Sequence, residues 1–222
     1  MPVVVSVRTG LPHLLAAPAW AKRPRWRSAY VKGERQGPVH LGRTNLEGDR
    51  QGDRRVHGGP DMAVLCYSED HYPAWRSELG LQEMGPGAFG ENFTVRGATE
   101  LDVCVGDVYE VGEALVQVSQ PRGPCYKISY RWGRQDLLRR VELSGRHGWY
   151  LRVLSEGQVT SGLEMALRAR PHPEWTVRRA ADVMARRRRE PEAAGALARC
   201  EALSAGWAEA LGRATPGPSA PA

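Results

Sequence analysis

The chain has 222 residues, 41% of them hydrophobic and 25% charged, with a net charge of +6. That balance is ordinary for a packed globular protein and excludes a disordered or collagen-like chain. No run reaches the ~20 apolar residues of a membrane helix, so the reading has no membrane association and the cytoplasm as compartment.

Taken in chain order, the first two thirds read as β. Val3–Val7 is an apolar run of strand length, and Leu11–Ala21 imitates the end of a signal peptide. That stretch lacks a charged leader and is broken by Pro12, His13 and Pro18, so it is not read as one. Met62–Tyr67, Asn92–Val95, Asp107–Val111, Leu115–Ser119 and Tyr150–Val153 follow as strands between Gly, Pro and Asp punctuation. Short strands at irregular spacing point to a barrel or sandwich rather than βαβ units. Two helices interrupt them. Glu69–Leu79 has Ser68 as cap and Gly80 as stop, with Pro73 tolerated near the first turn, and Gln135–Leu143 turns Leu137, Leu138 and Val141 inward.

The pattern changes after about Arg170. Thr176 caps a predicted helix carrying Val177, Ala180, Ala181 and Met184; Glu190–Pro191 opens a second, and Glu201–Leu211 makes a third. The expected organisation is a barrel over 1–170, a three-helix extension over 171–213 and a disordered tail over 214–222. An appendage of about 40 residues is too small to fold alone, so it should pack on the barrel or on a partner.

Charge is unevenly placed. Residues 1–60 carry eleven basic and four acidic side chains, 61–167 ten and fifteen, and 168–222 ten and six. A basic N-terminal third suits a phosphate-bearing ligand or a nucleic acid. The Arg186–Arg189 run lies on a predicted helix with little aromatic interleaving, so a solvated helix end is the preferred reading there and nucleic acid the lesser one. The cysteines at 66, 104, 125 and 200 show neither a CxxC pair nor zinc spacing.

Three polar clusters at strand ends carry the chemistry. Gly48–Pro60 (GDRQGDRRVHGGP) is a Gly-rich loop of the kind whose N–H groups cradle anions, with Arg54, Arg55 and His57 to hold a phosphate or polar heterocycle. Its aspartates, taken singly, read as turn formers. Phe89–Asn92 sets a carboxylate and an amide beside Gly90, and an Asn offers donor and acceptor together. Gln120–Lys127 (QPRGPCYK) places one thiol between Arg122 and Lys127 in a loop stiffened by two prolines. Nearby cations favour the thiolate, which binds soft metals or attacks electrophiles. Cys66, Cys104 and Cys200 have apolar neighbours and read as buried hydrophobes.

Together GDRQGDRRVHGGPDMAV, FGENF, DVCVGDVYEVG, VSQPRGPCYKI and SGRHGWYLRVLSEGQV resemble the MOSC domains, named after the C-terminal domain of molybdenum cofactor sulfurases. The likeness is to the stand-alone YiiM-like subgroup, which also has an upstream segment like 28–39 and a three-helix extension. It covers roughly residues 3–213. The resemblance implies a mainly β fold, a MOSC-type barrel with a few peripheral helices and a small C-terminal helical appendage. It implies molybdenum cofactor in a basic pocket, with Cys125 as the molybdenum ligand beside the pterin dithiolene. By the same likeness His57, Gly58, Gly59, Gly90, Glu91, Asn92, Gln120 and Arg122 line the pterin or substrate side, and Lys32 and Arg55 meet the phosphate. Gly123 departs from relatives that carry a larger polar residue there.

The resulting expectation is a molybdenum-dependent reductase converting N-hydroxylated small molecules (hydroxylamines, N-hydroxylated bases) to amines, with Cys125, Arg122 and Asn92 as catalytic residues. Metal and pterin perform the redox step while the protein orients and encloses. The chain has neither a dinucleotide-binding glycine loop nor a cysteine array for an iron–sulfur cluster, so the expected electron source is an external flavin or ferredoxin-type reductase. The alternative is a cofactor carrier, or a sulfur-transfer module holding a persulfide on Cys125.

Overall fold

The computed structural model describes residues 1–53 and 57–213. Arg54 and Arg55 of the glycine-rich loop, and the tail expected to be disordered, lie outside the described residues.

Strands and helices are numbered in chain order. One eight-stranded sheet runs β12 (Ala166–Ala169), β8 (Val108–Val111), β9 (Ala114–Pro121), β10 (Trp149–Ser155), β6 (Val64–Ser68), β7 (Phe93–Arg96), β1 (Val3–Thr9) and β4 (Gly33–Glu34). Its neighbours are antiparallel except the parallel pair β6–β7. The sheet curls strongly, so that the segment before β12 comes round to β1. Gly162–Met165, leading into β12, bonds to β1, with Val4 N donating to Leu163 O at 2.9 Å and Gly162 N to Val4 O at 2.7 Å. This is the mainly β barrel that the sequence predicts. A short ribbon pairs β5 (Val39–Leu41) with β11 (Gly157–Val159), and a second pairs β2 (His13–Ala16) with β3 (Arg25–Ser28).

Strand alternation decides what the barrel encloses. Val64 and Cys66 of β6, Val116 and Val118 of β9, and Trp149 and Leu151 of β10 all enter the barrel core. The residues between them face outward. Tyr67 of β6 joins a second core with Tyr72, Trp75, Phe89, Ile128 and Val141, under a layer of short helices. Those are α1 (Tyr72–Leu79), α2 (Lys127–Trp132) and α3 (Leu137–Ser144). The helix predicted over Glu69–Leu79 opens as a 3-10 turn, with Ser68 accepting from Asp70 N, and becomes α-helical at Tyr72 with Pro73 in its first turn.

The C-terminal unit comprises α4 (Val177–Arg186), α5 (Pro191–Ala198) and α6 (Ala205–Gly212), with Thr176 and Ser204 capping the first and last. The third helix starts four residues later than predicted, because Ser204 supplies the cap. The unit sits on the barrel. Val105 packs among Trp175, Ala180 and Leu197, and Ser204 N donates to Ser119 O at 2.9 Å. No helix among the described residues is long and apolar enough to cross a membrane.

Candidate functional site

Leu65 of β6 and Tyr150 of β10 point out of the barrel and meet four loops around a narrow cleft of about 90 Å³ that opens to solvent. The loops are 28–32 after β3, 49–52 with 57–58, the Gly90–Asn92 turn, and 122–127 after β9.

The 122–127 loop is anchored from behind. Arg122 N donates to Gly148 O at 3.0 Å, and Gly148 N donates to Glu100 Oε1 at 2.6 Å. Only glycine serves at 148: φ is +77°, and a Cβ there would stand 2.4 Å from Cys66 O. Glu100 is buried, and its second oxygen pairs with His71 Nε2 at 2.6 Å. Burial pushes its carboxyl up, but His71 and the Gly148 N–H outweigh that and hold it below the usual range.

On the cleft side, Arg122 is 4% exposed and pairs with no carboxylate among the described residues; its Nη1 is buried without a hydrogen-bond partner there. The guanidinium lies over the Tyr30 ring, Cζ 5.9 Å from the centroid, and is also the neighbour of the buried Tyr30 hydroxyl, which makes no hydrogen bond of good geometry among the described residues. Burial pushes that hydroxyl well above its ordinary value although Arg122 pulls it down. Cys125 lines the same wall, half-buried, with Lys127 two residues on at the start of α2. His57 faces them. Burial and the charges of Lys127 and Arg122 lower its pKa, outweighing Asp53, which favours the neutral imidazole. The other three cysteines are buried. Burial raises all three thiols, and Cys66 points into the barrel core.

The opposite wall is a closed network. Asp49, 1% exposed, accepts from Gly10 N at 2.8 Å and forms an ion pair with Lys32. Its other oxygen accepts from Asn92 Nδ2 at 3.1 Å. Asn92 Nδ2 also donates to Arg8 O at 3.1 Å, while its Oδ1 accepts from Leu65 N at 3.1 Å.

The structure thus brings Lys32, His57, Gly58, Gly90, Asn92, Arg122 and Cys125 to one cleft. Three other expected residues stand outside it. Glu91 is fully buried, its carboxylate accepting from Tyr72 Oη, Gly87 N, Phe89 N and Thr94 Oγ1, so it fixes the turn and faces no ligand. Gln120 donates to Pro121 O at 3.4 Å within the wall, and Gly59 precedes the 3-10 turn Pro60–Met62. Asn92 reaches the cleft with both N–H groups spent, which corrects its expected role: it positions Asp49. Arg55 lies outside the described residues. Sequence reading missed Tyr30, Tyr150 and Asp49. Asp49 was a turn former by type, and only its distance from Gly10, Lys32 and Asn92 along the chain hides its role.

The molecule is thus a small mixed barrel with a cationic, thiol-bearing cleft on its outer wall. Residues 53–166 match the MOSC domain, and residues 175–213 match the YiiM-like 3-alpha helix domain. The chain belongs to the MOSC family, whose domains are associated with molybdenum cofactor. It is 41% identical over 167 residues to YflK of Bacillus subtilis (strain 168), spanning 75% of this chain and 73% of that one. A protein of Gibberella moniliformis (strain M3125 / FGSC 7600) called a reductase is 39% identical over 153 residues, 68% of this chain but only 27% of that longer one. The crystal structure of YiiM from Geobacillus stearothermophilus superposes with a TM-score of 0.81 at 31% identity, covering 97% of this chain and all of that one.

Proposed function

We propose that the cleft holds molybdenum cofactor with Cys125 as the protein's ligand to the metal, and that the protein reduces N-hydroxylated compounds to amines. The observation that carries this is the buried guanidinium of Arg122, which has no carboxylate partner among the described residues, on the same wall as the Cys125 thiol. A permanently charged group left without a carboxylate is costly unless a ligand supplies the anion. The donor set fits the group: a thiolate for a soft metal, and cations for a pterin phosphate and an oxygen-rich centre.

When bound, the cofactor supplies the two-electron redox chemistry; the overall change is R–NHOH + 2 e⁻ + 2 H⁺ → R–NH2 + H2O. The chain's own residues do the rest. Arg122 offsets the charge of a Cys125 thiolate and offers N–H donors to an anionic oxygen. Lys32, one of whose three donors is held by Asp49, keeps the others for a phosphate. Neutral His57 can receive or give a proton at its ring nitrogens, and Tyr30, Phe89 and Leu65 keep that side of the cleft poor in water. Membership of the MOSC family and the reductase name of the Gibberella relative support the redox reading.

The test is protein purified from a molybdate-fed host, assayed for bound molybdenum and pterin and for hydroxylamine reduction with reduced methyl viologen. Stoichiometric molybdenum with turnover, both lost in Cys125→Ser, is the expected result. Labile sulfur on Cys125 without reduction would replace the reading with sulfur transfer.

A further inference from the structure

A second, wider groove, about 700 Å³ and open to solvent, lies between the β2–β3 ribbon and α2. It adjoins the cleft through consecutive residues: Cys125 lines the one and Tyr126 the other. Its floor is aromatic. The Tyr130 ring is met edge-on by Trp20, Trp26 and Tyr126 at centroid distances of 5.1, 5.8 and 5.0 Å. Trp20 is 39%, Tyr126 52% and the flanking Leu14 58% exposed, which is unusual company for side chains this apolar.

The rim is cationic. Lys22, Arg23, Arg25 and Arg27 all line the groove and all are exposed. None has a carboxylate partner among the described residues, although exposed arginines elsewhere do, as in Arg96–Glu69, Arg140–Asp136 and Arg168–Glu110. The sequence has no acidic residue before Glu34 to neutralise them. An apolar aromatic centre inside a charged rim is the anatomy of a protein interface, where Trp, Tyr and Arg supply most of the affinity. Stacked nucleic-acid bases fit less well, since Trp26 is buried with its Nε1 donating to Ala16 O at 3.1 Å, and the exposed Leu14 offers no ring face.

We propose that this groove is the docking face for an acidic electron-carrier protein, which delivers electrons beside Cys125. The inference rests on the reductase reading above. Each turnover consumes two electrons and two protons, so two encounters with a reduced one-electron carrier oxidise two carrier molecules and yield one amine and one water. The four cations steer the carrier by charge, and Trp20 and Tyr126 hold it by apolar contact.

The experiment uses the full chain with its cofactor and, as probe, an acidic [2Fe–2S] ferredoxin. Turnover driven by reduced ferredoxin is compared with turnover driven by reduced methyl viologen, in wild type and in the Arg23→Glu/Arg25→Glu/Arg27→Glu variant. Ferredoxin-driven kcat/KM should fall at least about ten-fold in the variant and with salt in the wild type, while methyl viologen turnover stays unchanged. Trp20→Ala should weaken ferredoxin binding without changing its salt dependence. Equal ferredoxin-driven turnover in wild type and charge-reversal variant would overturn the proposal. So would salt-sensitive binding of a single-stranded oligonucleotide where ferredoxin does not bind. If methyl viologen drives no reduction at all, the reductase reading fails, and ferredoxin binding by wild type against variant still decides the docking face.

Discussion

Asn92 donates its side-chain amide to Asp49 at 3.1 Å, and Asp49 in turn pairs with Lys32, so the turn after Gly90 fixes the ammonium at the cleft. Residues 32, 49 and 92 come from three separate loops, and this buried amide joins them. An amide can do so because its oxygen and nitrogen serve a donor and acceptors at once.

Asn92→Asp should therefore be far worse than its isosteric shape suggests. It sets a second carboxylate against Asp49, with both sites nearly closed to water. Stability should fall by about 3 kcal/mol or more, and Asn92→Ala by about 2 kcal/mol from the unsatisfied Leu65 N–H and Asp49 oxygen. Urea unfolding measures both; an unchanged midpoint in Asn92→Asp would dissolve the network.

Gly90→Ala tests the facing wall. Gly90 has φ +74°, and a Cβ there would stand 2.9 Å from Tyr30 Cδ2. The backbone strain costs about 1–3 kcal/mol, and the ring must move away from Arg122. A lowered melting temperature together with altered Tyr30 fluorescence or ring signals is expected, and wild-type behaviour in both would mean that the ring has room.

The barrel was legible because its strands are short apolar runs between glycines and prolines, and because motif order resembles one family. The β2–β3 ribbon was not. Pro12 and Pro18 interrupt an Ala- and Leu-rich stretch that lacks strand alternation, and its pairing with the basic Arg25–Ser28 strand is tertiary. α2 escaped for want of length, at six residues. In the site, Cys125 and Arg122 announced themselves by composition. Glu91 misled because a Glu beside Gly and Asn resembles a ligand contact, and only the fold shows four donors already converging on it.

Glu100 gives the pH dependence. Its folded pKa is depressed, so its contribution is present above the unfolded value, about 4.3, and is lost as pH falls through the folded one. Glu100→Gln should be less stable than wild type at pH 7, with the gap narrowing on acidification below about pH 4.3. A gap that stays constant from pH 7 to pH 3 would assign the loss to packing rather than to charge.

The cysteines should separate cleanly. Cys66→Ser places a hydroxyl in the barrel core, where the side chain is 0% exposed, and should cost about 1–3 kcal/mol with cofactor occupancy retained in the folded fraction. Cys125→Ser sits in a half-buried loop and should leave the melting temperature nearly unchanged while abolishing molybdenum retention. The opposite pattern would remove Cys125 from the site.

Arg122 carries the sharpest test, because stability and binding should move in opposite directions. In the protein without ligand its guanidinium is buried, unpaired with any described carboxylate, and leaves Nη1 without a partner. Replacing a poorly compensated buried charge with an apolar side chain of similar length is often neutral or stabilising. Arg122→Met should accordingly unfold at an equal or higher temperature than wild type when both lack cofactor. Molybdenum bound per protein should nonetheless drop about ten- to a hundred-fold, the worth of a charge-assisted hydrogen bond of roughly 1.5–3 kcal/mol. Arg122→Lys should recover part of the occupancy, since it restores charge but not the planar fork. A structural arginine behaves differently: Arg122→Met would then lose stability and keep its molybdenum. Calorimetry on the cofactor-free proteins, beside metal analysis of the loaded ones, separates the two roles.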